Sequence, residues 1–218
     1  MRKPNAGKQI RITPSIINDA IREAGEVLRN GGVIIHATET VYGLATRWDV
    51  EASLKRVADL KHRGIHQPFS IMVNSLEQIV AILGELPVNI HRFLQRLFPA
   101  PVTVLIPRTH PVAVPYWNHF PYLGFRYPSH NLSVQLVTAT GVPLITTSAN
   151  LSGQPPAQSV DEIPATLRHQ VDLILDSGKI KGGVPSTIVR ITEDWETLEL
   201  VREGPVPLEK ILRFFEHN

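Results

Sequence analysis

The sequence predicts an α/β protein whose single core is a mixed β-sheet with helices packed on it. Apolar runs of strand length alternate along the chain with segments whose apolar residues recur at helical spacing. In the last third, short strand signals dominate, and a polar turn joins two of them in the manner of a hairpin. The chain has 218 residues, of which 43% are hydrophobic, and this suffices for one core of ordinary size.

The first half of the chain alternates helix and strand signals. A helical stripe begins near Ile16 and ends at Gly31 and Gly32, because glycines at this position terminate helices. The segments that follow are predicted, in order, as a strand over 33–38, a helix over 51–63, a strand over 69–73 and a helix over 75–83.

The second half continues in the same way. Predicted elements are a helix over 88–98, strands over 102–107 and 122–128, a helix over 131–140, strands over 143–147, 173–176, 186–191 and 197–202, and a closing helix over 208–217. Ser159 and Glu162 form a capping-box pattern, although Pro164 limits the helix that follows to a late start or a short length. The proline-rich segment 108–121 is expected to be a long, at least partly ordered loop.

Composition excludes several classes of chemistry. The chain has no cysteine, which rules out disulfides, thiolate nucleophiles and Cys-ligated zinc. The nine histidines show no ligand pair such as HExxH, so no metal site built from protein side chains is expected. The formal charge of +2 gives no strong sign of nucleic-acid binding.

The same inventory bounds the organisation of the protein. We expect a basic N-terminal tail over 1–11 and one catalytic domain over 12–218, since neither a repeat nor a low-complexity linker divides the chain. A signal peptide and a membrane span both need longer apolar runs than the sequence offers, so a soluble, cytoplasmic protein is expected.

Polar residues stand at the ends of several predicted strands, where ligands bind in open α/β sheets. Thr38, Glu39 and Thr40 lie at the end of the first such strand, and Gly43 permits a tight turn nearby. A polar turn with a helix cap explains this stretch as well as a binding site does. Its function therefore stays open on these residues alone.

Three cationic side chains are candidates for binding anions. Lys61 and Arg63 stand at the end of the predicted helix 51–63, where they serve either the helix macrodipole or a phosphate clamp. Arg126 interrupts an apolar strand. A buried arginine requires an anionic partner, and a ligand carboxylate or phosphate would be suitable.

Small polar residues follow the strand over 143–147. Ser148 and Asn150, with the backbone amides near Gly153, can donate hydrogen bonds to phosphate or carboxylate oxygens, although a turn that satisfies itself is the alternative. Ser186 lies in a second stretch of this kind, beside two glycines. The sequence has neither GxGxxG nor GxxxxGK[ST], so a nucleotide would have to bind through another architecture.

Seven spaced motifs together resemble one known family. They are ATETVYGLA, KHR, FPAPVTVLIP, GFRYPS, PLITTSANLSG, GGVPSTIV and LVREG, and they extend over residues 15–206. In this order they resemble the threonylcarbamoyl-AMP synthases of the YrdC/Sua5 family, with SANxSG and PSTIV as the most specific matches. The resemblance implies a twisted mixed sheet with flanking helices around a large electropositive cleft. The implied reaction converts L-threonine, bicarbonate or CO2, and ATP into threonylcarbamoyl-AMP and pyrophosphate.

The resemblance also implies roles for individual residues. Those expected to bind threonine are Thr38, Arg126, Ser148 and Ser186, with Arg126 facing the carboxylate. Those expected to bind ATP are Lys61, Arg63, Asn150, Ser159 and Arg202, of which Lys61 and Arg63 are also assigned to catalysis. Tyr42 and Thr103 are expected as further contacts. Mg²⁺ is expected to be held mainly by the ATP phosphates, because this ion dehydrates reluctantly.

The chain departs from the family pattern at three places. Ala37 and Gly64 stand where the family usually has proline, and FPAPVT replaces the more usual WPGP. These changes affect loop conformation more than chemistry, because the polar groups are retained.

The family's product passes to a separate threonylcarbamoyl-transferase complex, which modifies tRNA next to the anticodon. Two alternatives remain. One is a module of the same fold that binds double-stranded RNA or tRNA without this activity, with Arg2, Lys3, Lys8 and Arg11 as an electrostatic arm. The other is a divergent relative that forms a carbamoyl-adenylate.

Overall fold

The structure is a computed structural model that describes residues 7–62, 64 and 67–216. The strands are β1 Lys8–Arg11, β2 Ile34–Ala37, β3 Tyr42–Arg47, β4 Ser70–Met72, β5 Val102–Pro107, β6 Tyr122–Arg126, β7 Leu144–Ser148, β8 Leu173–Asp176, β9 Thr187–Ile191 and β10 Leu198–Arg202. The helices are α1 Ile17–Arg29, α2 Glu51–Leu60, α3 Leu76–Leu83, α4 Val88–Leu97, α5 Asn131–Thr140, α6 Ala165–Arg168 and α7 Leu208–Glu216.

These strands form one mixed sheet in the order β1-β8-β2-β3-β7-β4-β6-β5-β9-β10. The sheet contains parallel pairs, such as β4 with β6 and β5 with β9, and antiparallel pairs, such as β3 with β7 and β5 with β6. The β9–β10 hairpin that the polar turn predicted is confirmed by its antiparallel register. The fold class predicted from the sequence, a mixed sheet with flanking helices, is therefore confirmed.

Two segments differ from the sequence-based expectation. Residues 8–11, expected to belong to a basic tail, form β1 and pair in parallel with β8. Ile12 extends this contact, since its N–H donates to the carbonyl of Asp176. The strand β3 was not predicted, because its polar start made the stretch look like a turn. The turn occupies only residues 38–41, and β2 and β3 pair directly as a hairpin in which Ala37 faces Tyr42.

The capping box predicted at Ser159 takes a shifted form. The carboxylate of Glu162 accepts a hydrogen bond from the backbone N–H of Gln158, and Ser159 makes no side-chain cap contact. Pro164 limits the helix as predicted, because α6 begins only at Ala165.

The two faces of the sheet are buried differently. One face packs against α2, α3, α4 and α7 in the larger hydrophobic cluster. On the other face, α1 and α5 cover the strands around Ile34, Ala45 and Leu144 in a second cluster. The helices α1 and α5 leave part of this second face uncovered, and the small or polar residues there include Gly43, Ser70 and Thr146. The uncovered region provides the floor of a cleft.

The loop 108–121 packs on the core. It contains a short 3₁₀ helix, Pro115–His119, whose Trp117 is fully buried. The indole N–H of Trp117 donates to the carbonyl of Trp48 at 2.9 Å. The prediction of an ordered loop is confirmed, because aromatic burial fixes this segment in place.

In the part of the chain that the structure describes, no helix has both the length and the apolar character that crossing a bilayer requires.

We expect Phe93→Ala to lower the free energy of unfolding by about 3–5 kcal/mol, because the ring is fully buried in α4 and meets Phe215 edge to face at 5.1 Å. Val88→Ala in the same helix is the matched control, since Val88 is 67% exposed and its truncation should change stability by no more than about 0.5 kcal/mol. Urea unfolding of both variants measures this, and equal losses would contradict the assignment of α4's buried face.

Candidate functional site

A cleft of about 170 Å³ lies on the uncovered part of the sheet. It is lined by polar ends of strands and by the loops that follow them: Thr38, Thr40, Val41, Gly43, Pro68, Ser70, Arg126, Thr146, Thr147, Ser148, Pro185, Ser186, Ile188 and Arg202. Small side chains keep the floor open. A Cβ on Gly43 would lie 3.2 Å from Thr146 Oγ1.

The turn between β2 and β3 forms one wall of the cleft. Thr38 Oγ1 accepts hydrogen bonds from the N–H groups of Thr40 and Val41, and it donates to the Val41 carbonyl at 2.7 Å. The backbone of Thr40 is held from outside as well, because the N–H of Gly183 donates to its carbonyl at 2.6 Å. A Cβ on Gly182 would lie 1.9 Å from that carbonyl oxygen, so glycine is required there. The threonine hydroxyls of this turn are therefore fixed before any ligand binds.

Arg126 is the most buried cation on the cleft wall, with 6% of the residue exposed. Its Nη2 donates to Thr40 Oγ1 at 2.9 Å and lies 2.9 Å from Glu39 Oε1. The anionic partner that the sequence required is thus present within the chain. Glu39 supplies it, and the side chains of this pair are 7% and 16% exposed, respectively.

On the opposite wall, β9 and β10 present a second polar group. Ser186 Oγ lies 3.1 Å from Thr103 Oγ1 and accepts a hydrogen bond from Arg202 Nη2 at 3.3 Å. The same guanidinium donates to the Ser186 carbonyl. Burial lowers the pKa of Arg202, and the nearby charge of Arg126 lowers it further. Two of the described arginines therefore face one small cleft, and an anion placed there would relieve their repulsion.

The loop after β7 is organised around Lys61. The ammonium of Lys61 donates to the carbonyls of Ser148 and Asn150 at 2.6 Å and 2.7 Å, and to Asn150 Oδ1 at 3.1 Å. Ser148 Oγ also donates to Asn150 Oδ1, and Asn150 Nδ2 donates to the Gln154 carbonyl. Ser152 Oγ returns a hydrogen bond to the Lys61 carbonyl at 3.0 Å. Lys61 and Asn150 thus hold the loop that carries Ser148 to the cleft.

The structure brings together only part of the residues predicted from the sequence. All four residues assigned to threonine, Thr38, Arg126, Ser148 and Ser186, line the cleft. Of those assigned to ATP, Arg202 lines it, Lys61 and Asn150 support its loop, and Ser159 is not among its lining residues. Arg63 lies outside the described residues.

Of the two further contacts expected, Thr103 touches Ser186 and Tyr42 lies elsewhere. The ring of Tyr42 packs in the larger hydrophobic cluster, on the other face of the sheet. Its hydroxyl donates to the Gly178 carbonyl at 2.7 Å and accepts from the Ser177 N–H at 3.0 Å. Burial raises the pKa of Tyr42 to about 12. Tyr42 therefore supports the loop after β8.

Residue-by-residue reading of the sequence missed Ser70 and Thr146 as lining residues of the cleft. Ser70 and Thr146 face each other across β4 and β7, on the cleft side of the sheet. A signal existed for Ser70, which is a polar residue in an otherwise apolar run, whereas Thr146 lies in a strand with two further polar residues, Thr147 and Ser148. For Glu39, only the fold shows that its carboxylate meets Arg126.

Within residues 7–62, 64 and 67–216, no group of three or more His, Asp or Glu side chains is arranged to hold a metal ion. The residues that line the cleft offer hydroxyls, backbone groups and two guanidinium groups, and the carboxylate of Glu39 beside them is paired with Arg126. Such a set suits anions, whereas Mg²⁺ requires oxygen ligands, chiefly carboxylates, water and phosphates. The described residues therefore do not fit a protein-built Mg²⁺ site.

A fully buried histidine, His36, lies near the Arg126 guanidinium. Its Nδ1 lies 2.9 Å from the Ala37 carbonyl oxygen. Burial lowers the pKa of His36 to about 3, and the nearby charges of His130 and Arg126 act in the same direction. Burial also lowers the pKa of His130. Both imidazoles are therefore neutral at neutral pH.

Comparison with known proteins relates this chain to a family. The sequence model of Sua5_yciO_yrdC, described as "Telomere recombination", matches residues 26–204. The threonylcarbamoyl-AMP synthase of Pyrococcus abyssi is 31% identical over 191 residues, which cover 88% of this chain and 56% of that protein. The threonylcarbamoyl-AMP synthase of Shigella flexneri is 33% identical over 190 residues, which cover 85% of this chain and 96% of that protein.

Solved structures give the same result. P. abyssi Sua5 complexed with L-threonine superimposes with a TM-score of 0.83 at 29% identity, over 95% of this chain and 60% of that one. E. coli YciO superimposes with a TM-score of 0.80 at 25% identity, over 95% of this chain and 99% of that one. The chain thus spans little more than half the length of the P. abyssi relative and nearly all of the length of the shorter proteins.

The neutral state of His36 makes stability depend on pH. Unfolding exposes a histidine with a pKa near 6.5, whereas the folded protein keeps it unprotonated down to about 3. Its contribution is complete above about pH 6.5 and is lost as the pH falls below that value.

Between about pH 6.5 and about pH 5, one such group costs about 2 kcal/mol of unfolding free energy. We expect His36→Gln to remove this part of the pH dependence, whatever its effect on stability at neutral pH. Urea unfolding of both proteins at the two pH values measures the difference. Parallel losses in the two proteins would show that His36 is protonated in the folded state.

Proposed function

Because the chain belongs to the Sua5_yciO_yrdC family, we propose that it is an L-threonylcarbamoyladenylate synthase, a nucleotidyltransferase. The match to the family model confirms the resemblance found in the sequence motifs. The proposed substrates are L-threonine, bicarbonate or CO2, and ATP. The products are threonylcarbamoyl-AMP and pyrophosphate, formed in the cytoplasm for modification of tRNA next to the anticodon.

The observation that carries this proposal is the composition of the cleft. A buried arginine, which suits a carboxylate, contacts the hydroxyl of Thr40 and lines the same cleft as Thr38, Ser148 and Ser186, whose hydroxyls suit a hydroxyl or an amine. A volume of about 170 Å³ suits an amino acid better than a whole nucleotide. The structural relative from P. abyssi was solved with L-threonine. We assign Thr38, Arg126, Ser148 and Ser186 to threonine on these grounds.

The reaction needs no nucleophile from the protein. The deprotonated amine of threonine attacks the carbon of CO2, a C–N bond forms as one C=O π bond of CO2 breaks, and the nitrogen loses one proton to water to give a carbamate. A carbamate oxygen then attacks the α-phosphorus of ATP, the bond from that phosphorus to the bridging oxygen breaks, and pyrophosphate leaves. Both reactants of the second step are anions, so the protein's task is to align them, neutralise their repulsion and exclude water.

ATP is proposed to bind where the cleft opens toward Arg202 and the loop after β7. Arg202 lines the cleft, and backbone amides of this loop are candidate phosphate donors. Lys61 and Asn150 fix the loop in the described structure, so their proposed catalytic contribution includes holding those donors in place. Ser159 and Arg63 complete the proposed set. Mg²⁺ is proposed to arrive with the ATP phosphates, whose charge it offsets.

The proposed partner is a threonylcarbamoyl-transferase complex that consumes the labile product. Direct binding of double-stranded RNA or tRNA has weaker support, because two of the four basic residues considered for it are already paired. Lys8 lies 2.7 Å from Glu23, and Arg11 lies 2.9 Å from Asp176. The remaining two, Arg2 and Lys3, lie outside the described residues.

The first test is pyrophosphate release by the purified protein with ATP, Mg²⁺ and bicarbonate. We expect release that depends on L-threonine and that L-serine supports less well, because serine lacks the methyl group that would pack against apolar lining residues such as Val41 and Ile188. Detection of threonylcarbamoyl-AMP by mass spectrometry identifies the product. Release that is independent of any amino acid, or none at all, would reject the proposal in favour of RNA binding or a divergent carbamoyl-adenylate reaction.

We expect Lys61→Ala to reduce kcat by about 10²-fold or more, because it removes the ammonium that holds the donor loop. Lys55→Ala, in the exposed part of the same helix, is the matched control and should leave turnover unchanged. Thermal unfolding of both variants shows whether the fold is intact. An unchanged kcat in a folded Lys61→Ala protein would refute the assignment.

A further inference from the structure

Glu39 has acceptor capacity that the described residues do not use. Both of its carboxylate oxygens are buried, and neither accepts a hydrogen bond from the part of the chain that the structure describes. Its contact with Arg126 is an ion pair by distance, 2.9 Å, but it is not aligned as a hydrogen bond. The other buried side-chain atoms in this condition, His36 Nε2 and Arg126 Nε, belong to the same neighbourhood. A buried carboxylate normally accepts several hydrogen bonds, so this one is available for a donor.

Charge balance determines which ligand suits the pair. Arg126 and Glu39 cancel each other in the absence of ligand, and both are largely buried. A ligand carboxylate that pairs with Arg126 in place of Glu39 leaves Glu39 as an unpaired negative charge whose oxygens are buried, which is costly. A zwitterionic amino acid avoids this cost, because its ammonium replaces the arginine as the partner of Glu39.

Among the described residues, the nearby titratable groups do not provide another counter-charge for Glu39. Burial lowers the pKa of His130, the titratable group in electrostatic contact with both Glu39 and Arg126, so its imidazole is neutral at neutral pH. Arg202 lies on the opposite wall, where its guanidinium is bonded to Ser186. The described residues thus leave the compensating charge to the ligand.

We infer that Glu39 is a specificity-determining residue, whose carboxylate accepts the α-ammonium of the substrate while Arg126 binds the substrate's carboxylate. The cleft thereby selects the amino acid over the same hydroxy acid without its amino group. The inference rests on the proposed function, since it takes threonine as the ligand of this cleft.

The test compares two probes by calorimetry without ATP: L-threonine, and (R)-3-hydroxybutyrate, which is threonine without its amino group. We expect the wild-type protein to prefer threonine by about tenfold or more. In Glu39→Gln, threonine should bind about tenfold more weakly, whereas 3-hydroxybutyrate should bind at least as well as before, because no buried anion is left unpaired. The selectivity ratio should therefore fall by about tenfold or more.

Glu199→Gln is the matched control, because Glu199 pairs with Arg190 at 43% side-chain exposure, outside the lining of the cleft. Its selectivity should equal that of the wild type. An unchanged ratio in Glu39→Gln would overturn the inference.

A measurement on the wild-type protein covers the case in which Glu39→Gln does not fold. L-Threoninamide carries the ammonium without the carboxylate, and it should bind about tenfold more weakly than threonine, as 3-hydroxybutyrate does. Equal affinity for threonine and 3-hydroxybutyrate would overturn the role of Glu39 while the synthase activity stands. A wild-type protein that neither binds threonine nor releases pyrophosphate with it would overturn the proposed function itself, and with it the ligand assigned to the pair.

Discussion

A buried positive charge is the constraint on which the cleft depends. Arg126 lies at the end of β6 and is almost fully buried, and the chain stabilises it from two directions, by the hydroxyl of Thr40 and by the carboxylate of Glu39. Both partners come from the short turn between β2 and β3, which Thr38 closes on itself and which Gly183 braces from outside. The turn and the arginine therefore hold each other in place, because breaking this buried pair would cost more free energy than breaking an exposed ion pair.

The sheet makes this arrangement possible because helices cover its two faces to different extents. One face is covered by helices and supplies most of the hydrophobic core. The other is covered only around Ile34, Ala45 and Leu144, and its uncovered part presents glycines and hydroxyls. Rigid strands thus carry Ser70, Thr146 and Arg126, so the cleft does not depend on loop order alone. Its donors suit a small anion or zwitterion. The relatives to which the chain is similar are named threonylcarbamoyl-AMP synthases, and threonine is such a zwitterion.

The sequence predicted most of the elements, because hydrophobic periodicity marks a helix or a buried strand directly. It failed for β3 and β1. The polar turn before β3 is so short that strand and turn share one motif, and β1 is a mostly exposed edge strand with two basic residues and only one apolar residue, Ile10. Edge strands of this composition resemble a solvated tail, because their order comes from pairing with a distant strand, here β8.

The sequence predicted only part of the candidate site, because a motif does not show which way each of its side chains points. Motif resemblance named residues on the cleft wall, such as Thr38 and Ser186, but it could not separate residues that face the cleft from residues that hold its loops. Tyr42 belongs to the same motif as Thr38 and points to the opposite face of the sheet. The Arg126–Glu39 pair joins two positions that are far apart in sequence, so only three-dimensional structure reveals it.

Lys61 couples the motion of two segments of the chain. Its ammonium and carbonyl join the end of α2 to residues 148–152 through hydrogen bonds in both directions, across a sequence separation of 87 to 91 residues. Displacement of the loop after β7 must either break these bonds or move the end of α2 with it. The two segments should therefore respond as one mechanical unit, with correlated amide exchange and a shared relaxation rate.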